Sequence, residues 1–197
     1  AKIAAQLNHG GKVAQEDVAA GRPILVPSIP SKGRSDMFAL LTPTELGNFV
    51  KAAGPDGRGP RYHVMEQADI ETLVAQFAAA ADRAKQANFD AVEIHAGHGY
   101  VISSFLSPSV NKRTDNYGGS RENRARLLCE IILATRQTVG PDFPIIVRFD
   151  AHEFRIESGI TIEDALVTAQ LAEKAGADAL DVSAYGNTAI GVAFTEA

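Results

Sequence analysis

Apolar residues recur at three- and four-residue steps in three stretches of this chain, and each stretch leads into a short, denser apolar run. From Asp69, a residue suited to an N-cap, Ile70, Leu73, Val74, Phe77, Ala81, Ala84 and Ala87 fall on one helical face, and Asn88 suits a left-handed C-cap. "DAVEIHA" follows as a strand. A second helix, capped by Ser120, carries Leu127, Leu128, Ile131, Thr135 and Val139 to a stop at Gly140 and Pro141, and "FPIIVRFD" is the next strand. A third helix opens at Thr161 with Asp164 at capping-box distance, stops at Gly176 and feeds the strand "ADALDVSA". "KIAAQLN" near the start reads as an earlier strand.

The helix–turn–strand unit repeats in sequence: "ADRAKQANFDAVEIHA" (81–96) aligns with "AQLAEKAGADALDVSA" (169–184). Such repetition implies an α/β fold with a parallel sheet, either doubly wound or a (β/α)₈ barrel. Barrel chemistry sits at the C-terminal strand ends, where His95 falls, with Ser183 as its counterpart in the repeat. Alternation puts Ala91, Glu93 and His95 on one strand face and Val92 and Ile94 on the other. The helix-facing side must be apolar, so Gln6, Glu93, His95 and Arg148 are expected together on the opposite face, with Glu93 and Arg148 neutralising each other.

Residues 13–65 hold six of the nine prolines and lack a clear period, so they read as a long loop or lid, with a short helix around 43–52. The net charge of −5 and the pI near 5.5 argue against a nucleic-acid surface. No apolar run is long enough to span a bilayer, and the N-terminus lacks a signal pattern, so a cytoplasmic protein is expected. The single cysteine, Cys129, sits among helical apolar residues and reads as a buried thiol.

"EIHAGHGYVISSFLSPSVNKRTDNYGGSRENRAR" (93–126) resembles the signature of the Old Yellow Enzyme family, the FMN-dependent NAD(P)H:flavin oxidoreductases and ene-reductases. "QLNHGGK" (6–12) resembles the family's third-strand motif, with Gly10 where alanine is usual and Lys12 where arginine is usual, and "FPIIVRFD" resembles its fifth strand. The likeness is weak over 15–65. It implies a portion of a (β/α)₈ TIM barrel, with residues 2–8, 90–95, 144–149 and 179–184 as strands three to six, and the whole of 1–197 belonging to one FMN-binding barrel domain. The strands whose loops grip the FMN phosphate are not among these, so the segment alone is not expected to hold flavin tightly.

The resemblance also implies chemistry. His95 and His98 match the family's pair of N–H donors to a substrate carbonyl, and Tyr100 matches its proton donor. A phenol with an ordinary pKa of ~10 keeps its proton at neutral pH. Arg148 matches the arginine that steadies the reduced flavin, and Gln6 the glutamine at the flavin's pyrimidine edge. The implied reaction is hydride transfer from NADH or NADPH through FMN to the C=C bond of an α,β-unsaturated carbonyl compound. The implied partner is a small electron-poor alkene, with no nucleic acid and no membrane, and a homo-oligomer is compatible with the sequence. An iron–sulfur cluster, as in long relatives, would lie outside this segment.

Arg113, Asp115 and Tyr117 are expected to clasp the loop after the strand, and His9 either meets ligand or caps its strand. Two rival readings stand beside the flavoenzyme: a metal-dependent barrel hydrolase or lyase using His95, His98, Asp150 and His152, and a non-catalytic piece that supports assembly.

Overall fold

The computed structural model describes residues 1–30, 42–44 and 60–186. Beyond its first positions, the helix expected around 43–52 lies outside the described residues. Among the described residues six strands run in order: β1 (Ala4–Leu7), β2 (Ile24–Val26), β3 (Tyr62–Val64), β4 (Ala91–Ala96), β5 (Ile145–Phe154) and β6 (Ala179–Gly186). The α-helices are α1 (Gln15–Ala19), α2 (Gln67–Gln86), α3 (Val101–Leu106), α4 (Arg121–Val139) and α5 (Ile162–Ala175), with a 3-10 turn at Gly11–Val13. β1, β4, β5 and β6 form one parallel sheet in that order, and β2 pairs with β3 in a small parallel sheet of its own.

The helix-forming patterns act as their residues dictate. Ser120 accepts the Asn123 N–H at the start of α4, and Thr161 and Asp164 form a reciprocal capping box at the start of α5. Gly176 ends α5 in the left-handed conformation, and Asn88 takes a positive φ just past α2. Asp69 differs from expectation. The helix starts at Gln67 with Glu66 as N-cap, and Asp69 closes the capping box from inside the first turn by accepting the Glu66 N–H at 2.7 Å. In this box the Glu66 side chain accepts the Asp69 N–H in return, so the local signal marked the right turn but the wrong position.

One contiguous core joins the helices to a single sheet face: Ile70, Leu73 and Phe77 of α2 and Leu127, Leu128 and Ile131 of α4 pack with Val92, Ile94, Val147 and Phe149. Fully burying a side chain of this size contributes about 1.5–3 kcal/mol. Helices α2, α4 and α5 all belong to this one layer, whereas a doubly wound sheet carries helices on both faces. The other face is polar, and this arrangement is that of a barrel arc. No helix among the described residues is long and apolar enough to cross a membrane.

The stretch 13–65 holds more structure than its composition suggested. Its described ends contain α1 and the β2–β3 sheet, in which Ile24, Leu25 and Val26 lie in register with Tyr62, His63 and Val64. Three-residue strands rich in β-branched residues are too short to raise a period.

Candidate active site

The polar sheet face carries the chemistry. In β4 the alternation sends Val92, Ile94 and Ala96 into the core and leaves Glu93 and His95 opposite. Gln6 is in register with Glu93, and Arg148 with His95, so the four side chains occupy adjoining positions on three strands. Their pairing departs from expectation. Glu93 accepts from the Gln6 amide, and Arg148 pairs with Asp181 of β6, its register neighbour, with Nε 3.5 Å from Oδ2. Each charge finds a partner on the strand across from it rather than the diagonal one, because directly opposed side chains lie closest.

Past His95 the chain turns through Gly97, His98 and Gly99 into Tyr100, the N-cap of α3. Gly97 is required by a close approach: a Cβ there would stand 2.9 Å from Asp150 Oδ1. His98 itself has φ +57, and the turn is held by its backbone N–H donating to Asp150 Oδ2 at 2.6 Å. The turn folds three rings together. The His95 and His98 ring centroids are 5.0 Å apart, and the Tyr100 ring meets His95 edge-on at 5.1 Å.

His95 Nε2 and His98 Nδ1 face each other at 3.2 Å, and on the far side His98 Nε2 lies 3.0 Å from Ser183 Oγ. Ser183 donates to Asp150 Oδ1 at 2.9 Å, and the Asp150 side chain is fully buried. His95 is only 4% exposed. Burial first, then the neighbouring His98 and Arg148, push its pKa below the usual imidazole value and keep it neutral at pH 7. Two buried atoms of this face have no hydrogen-bond partner, His95 Nδ1 and Arg148 Nε. A buried polar atom left unmatched costs about 1–3 kcal/mol, so orphaned atoms on one polar face mark a place for a polar ligand.

The structure therefore brings His95, His98 and Tyr100 into one cluster, sets Arg148 beside it, and puts Gln6 one pleat step below on β1. Two neighbours were not anticipated. Tyr185 of β6 lies 6.3 Å from the His98 ring, and burial, with Glu153 and Asp150 adding to it, pushes its phenol pKa up. Continuing the alternation from Ser183 by two residues would have found it. Lys12 approaches Gly99, and burial lowers its pKa against the opposing pull of Glu153. His9 accepts the Gly11 N–H on Nδ1 at 3.2 Å, which is the strand-capping role.

Arg113 does form a clasp. It pairs with Asp115, donates to the Met65 carbonyl at 2.7 Å and the Pro27 carbonyl at 3.3 Å, and so ties the β2–β3 sheet to the loop after α3. Asp115 also accepts the Tyr117 N–H. His152 instead packs edge-on against Phe154 at 4.6 Å. Among the described residues no three His, Cys, Asp or Glu side chains are grouped as a metal site would need.

The donor set suits a flat heterocycle with alternating donors and acceptors along its edge. Gln6 offers an amide, Arg148 a fixed cation whose Nε makes an ion pair but no hydrogen bond, and the histidine couple an N–H beside a phenol.

The profile of the NADH:flavin oxidoreductase / NADH oxidase family matches residues 1–192. The chain is 39% identical over 183 residues to the NADPH dehydrogenase of Geobacillus sp., an overlap of 93% of this chain and 45% of that protein. Among solved structures it is similar to Old Yellow Enzyme from Pichia sp., with 33% identity and a TM-score of 0.61 over 76% of this chain and 36% of that one. It is also similar to morphinone reductase in complex with tetrahydroNAD, with 28% identity and a TM-score of 0.67 over 92% of this chain and 48% of that one. These neighbours are (β/α)₈ barrels, so the four-stranded sheet is an arc of that fold. The chain spans less than half the length of these curated relatives.

Proposed function

Since the chain belongs to the NADH:flavin oxidoreductase / NADH oxidase family, we propose that the whole protein is an FMN-dependent oxidoreductase that reduces the C=C bond of α,β-unsaturated carbonyl compounds with NADH or NADPH. The observation that carries this reading is the convergence of a neutral, buried His95 with His98 and Tyr100 at one strand end, beside Arg148. In this reading residues 1–197 are part of one FMN-binding barrel, and the 13–65 segment shapes the substrate's approach.

FMN, when bound, supplies the two-electron carrier that takes hydride from the nicotinamide and returns it to carbon. Gln6 and Arg148 are the residues that would hold it here. The Gln6 amide both donates and accepts, and the Arg148 guanidinium stays protonated beside any negative charge that develops. Asp181 offsets part of that charge, which limits how strongly Arg148 attracts an anion.

The chain's own groups do the rest. His95 and His98 each turn an N–H toward the substrate's carbonyl oxygen, drawing electron density off the alkene's far carbon. Losing a donor of this kind costs ~3–4 kcal/mol of transition-state stabilisation. Because His95 is held neutral, it donates without becoming a fixed cation. Tyr100 delivers its hydroxyl proton to the carbon next to the carbonyl, completing the addition of one hydride and one proton.

The test is anaerobic, on the full-length protein. It should be yellow, bleach with NADH or NADPH, and regain colour on adding 2-cyclohexenone. Tyr100→Phe should slow the recovery of colour about 100-fold, within the usual range for a general acid, and leave the bleaching step nearly intact. Equal loss in both half-reactions would refute the proton-donor role, and a colourless full-length protein would refute the flavin reading itself.

A further inference from the structure

We propose that Lys12 and Tyr185 form a subsite for a carboxylate on the substrate, so that this protein favours an α,β-unsaturated ketone carrying an acid group over its neutral counterparts. This deepens the reading above and rests on it only for the reduction of the alkene. Its basis is the meeting of two uncommitted donors beside the histidine pair.

Separate elements bring the two side chains together. Lys12 stands in the 3-10 turn after β1, and that turn packs on the start of α3, where a Cβ on Gly11 would lie 2.8 Å from the Val101 backbone. Tyr185 lies two residues beyond Ser183 on β6, so alternation gives it the same polar face. Gly99 lies between them. The point where its Cβ would stand is 3.2 Å from Lys12 Cε and 3.3 Å from the Tyr185 hydroxyl oxygen. Any other residue at 99 would fill the space the two donors share, and φ +73 independently favours glycine there. The Tyr185 ring meets the His98 ring edge-on, so the pair sits next to a ring assigned above to the substrate's carbonyl.

Neither donor is committed elsewhere. Among the described residues Lys12 makes no ion pair or hydrogen bond, and the Tyr185 hydroxyl makes no hydrogen bond. Glu153 is the carboxylate whose charge acts on Lys12, but its Oε2 already accepts from the Ser107 hydroxyl at 2.5 Å and from the Ile160 N–H at 2.8 Å. Burial disfavours the Lys12 ammonium, and an anion placed beside it would relieve that penalty. An ammonium offers three donors and a phenol one, while a carboxylate presents two oxygens that only accept. Charge-assisted hydrogen bonds of this kind are roughly twice as strong as neutral ones, so an ester in the same place gains less. Because the subsite adjoins His98, it suits a second oxygen function on the same short carbon skeleton as the ketone, as in a 4-oxo-2-enoate.

The test is calorimetric binding of 4-oxopentanoate, a saturated keto acid, and of its methyl ester to the full-length protein at neutral pH. The parent should bind the acid about tenfold more tightly than the ester. Lys12→Met should abolish that preference, Lys12→Arg should keep most of it, and Tyr185→Phe should shrink it several-fold. A parent without the preference, or a preference that survives Lys12→Met, would overturn the proposal. If Lys12→Met fails to fold, Tyr185→Phe decides, and an unchanged preference there overturns it. In the anaerobic assay, Lys12→Met should lower kcat/KM for (E)-4-oxo-2-pentenoate about tenfold relative to that for its methyl ester. The predicted binding preference in a protein that reduces neither enone would sink the alkene reading alone.

Discussion

At Arg148 a single side chain joins the flavin reading to the electrostatics of the sheet. Its Nε is buried without a hydrogen bond while its pairing with Asp181 is loose, so it is a cation prepared for a further partner. Arg148→Ala should lower the flavin retained by the purified full-length protein several-fold, read as the ratio of flavin to protein absorbance. Undiminished flavin would remove Arg148 from the cofactor's contacts. At this scale much was legible in the sequence. Alternation alone put Gln6, Glu93, His95 and Arg148 on one face, because a strand whose other face meets helices has no freedom in the matter. The partners of the charged groups were not legible. Glu93 with Gln6 and Arg148 with Asp181 depend on lateral register, which no single strand encodes.

Among the elements, α4 and α5 are joined by a charge cluster in which Arg124 and Asp164 are buried and Arg121 is half-exposed. Asp164, inside the first turn of α5, accepts from Arg121 and Arg124 of α4 at 2.7 Å, and Arg124 also donates to the Leu106 and Gly119 carbonyls. Burial works to raise the Asp164 pKa, but the hydrogen bonds from Arg121 and Thr161 and the charge of Arg124 outweigh it and hold the carboxyl below its ordinary value. A carboxylate with a depressed pKa contributes stability above its unfolded pKa near 3.8 and loses it as pH falls through the folded value. Asp164→Asn should therefore destabilise the fold at neutral pH by about 3 kcal/mol, by stranding a buried arginine, and should flatten the loss of stability in acid. Denaturant unfolding at pH 7 and below pH 4 checks both parts. The caps of α4 and α5 were readable because capping is local. The helix α3 and the strands β2 and β3 were not, since a six-residue helix and three-residue strands are fixed by what they pack on.

At the scale of the whole molecule, the sheet formed by the described residues ends at β1 and β6. On β6, Leu180 and Val182 continue the helix-facing apolar layer beyond α5 and are 38% and 57% exposed. Unpaired strand edges with exposed apolar side chains invite pairing with other chains. The 197-residue chain on its own should self-associate in size-exclusion chromatography, and replacing Leu180 and Val182 by lysine should shift it toward smaller species. A sharp monomer peak for the unaltered chain would count against this.

The β2–β3 sheet has a consequence for how such enzymes diversify. It pins Ile24 to Tyr62 and Val26 to Val64, and Arg113 ties both sides to the body of the fold through the Pro27 and Met65 carbonyls. The backbone thus leaves and re-enters at neighbouring points, as a ring binder holds its pages. Closure entropy grows only logarithmically with the span between them. Whole stretches between Ser28 and Arg61 can be exchanged for foreign ones of different length while the strand ends that carry the chemistry stay where they are, which makes this staple a natural seam for building chimaeras with altered selectivity.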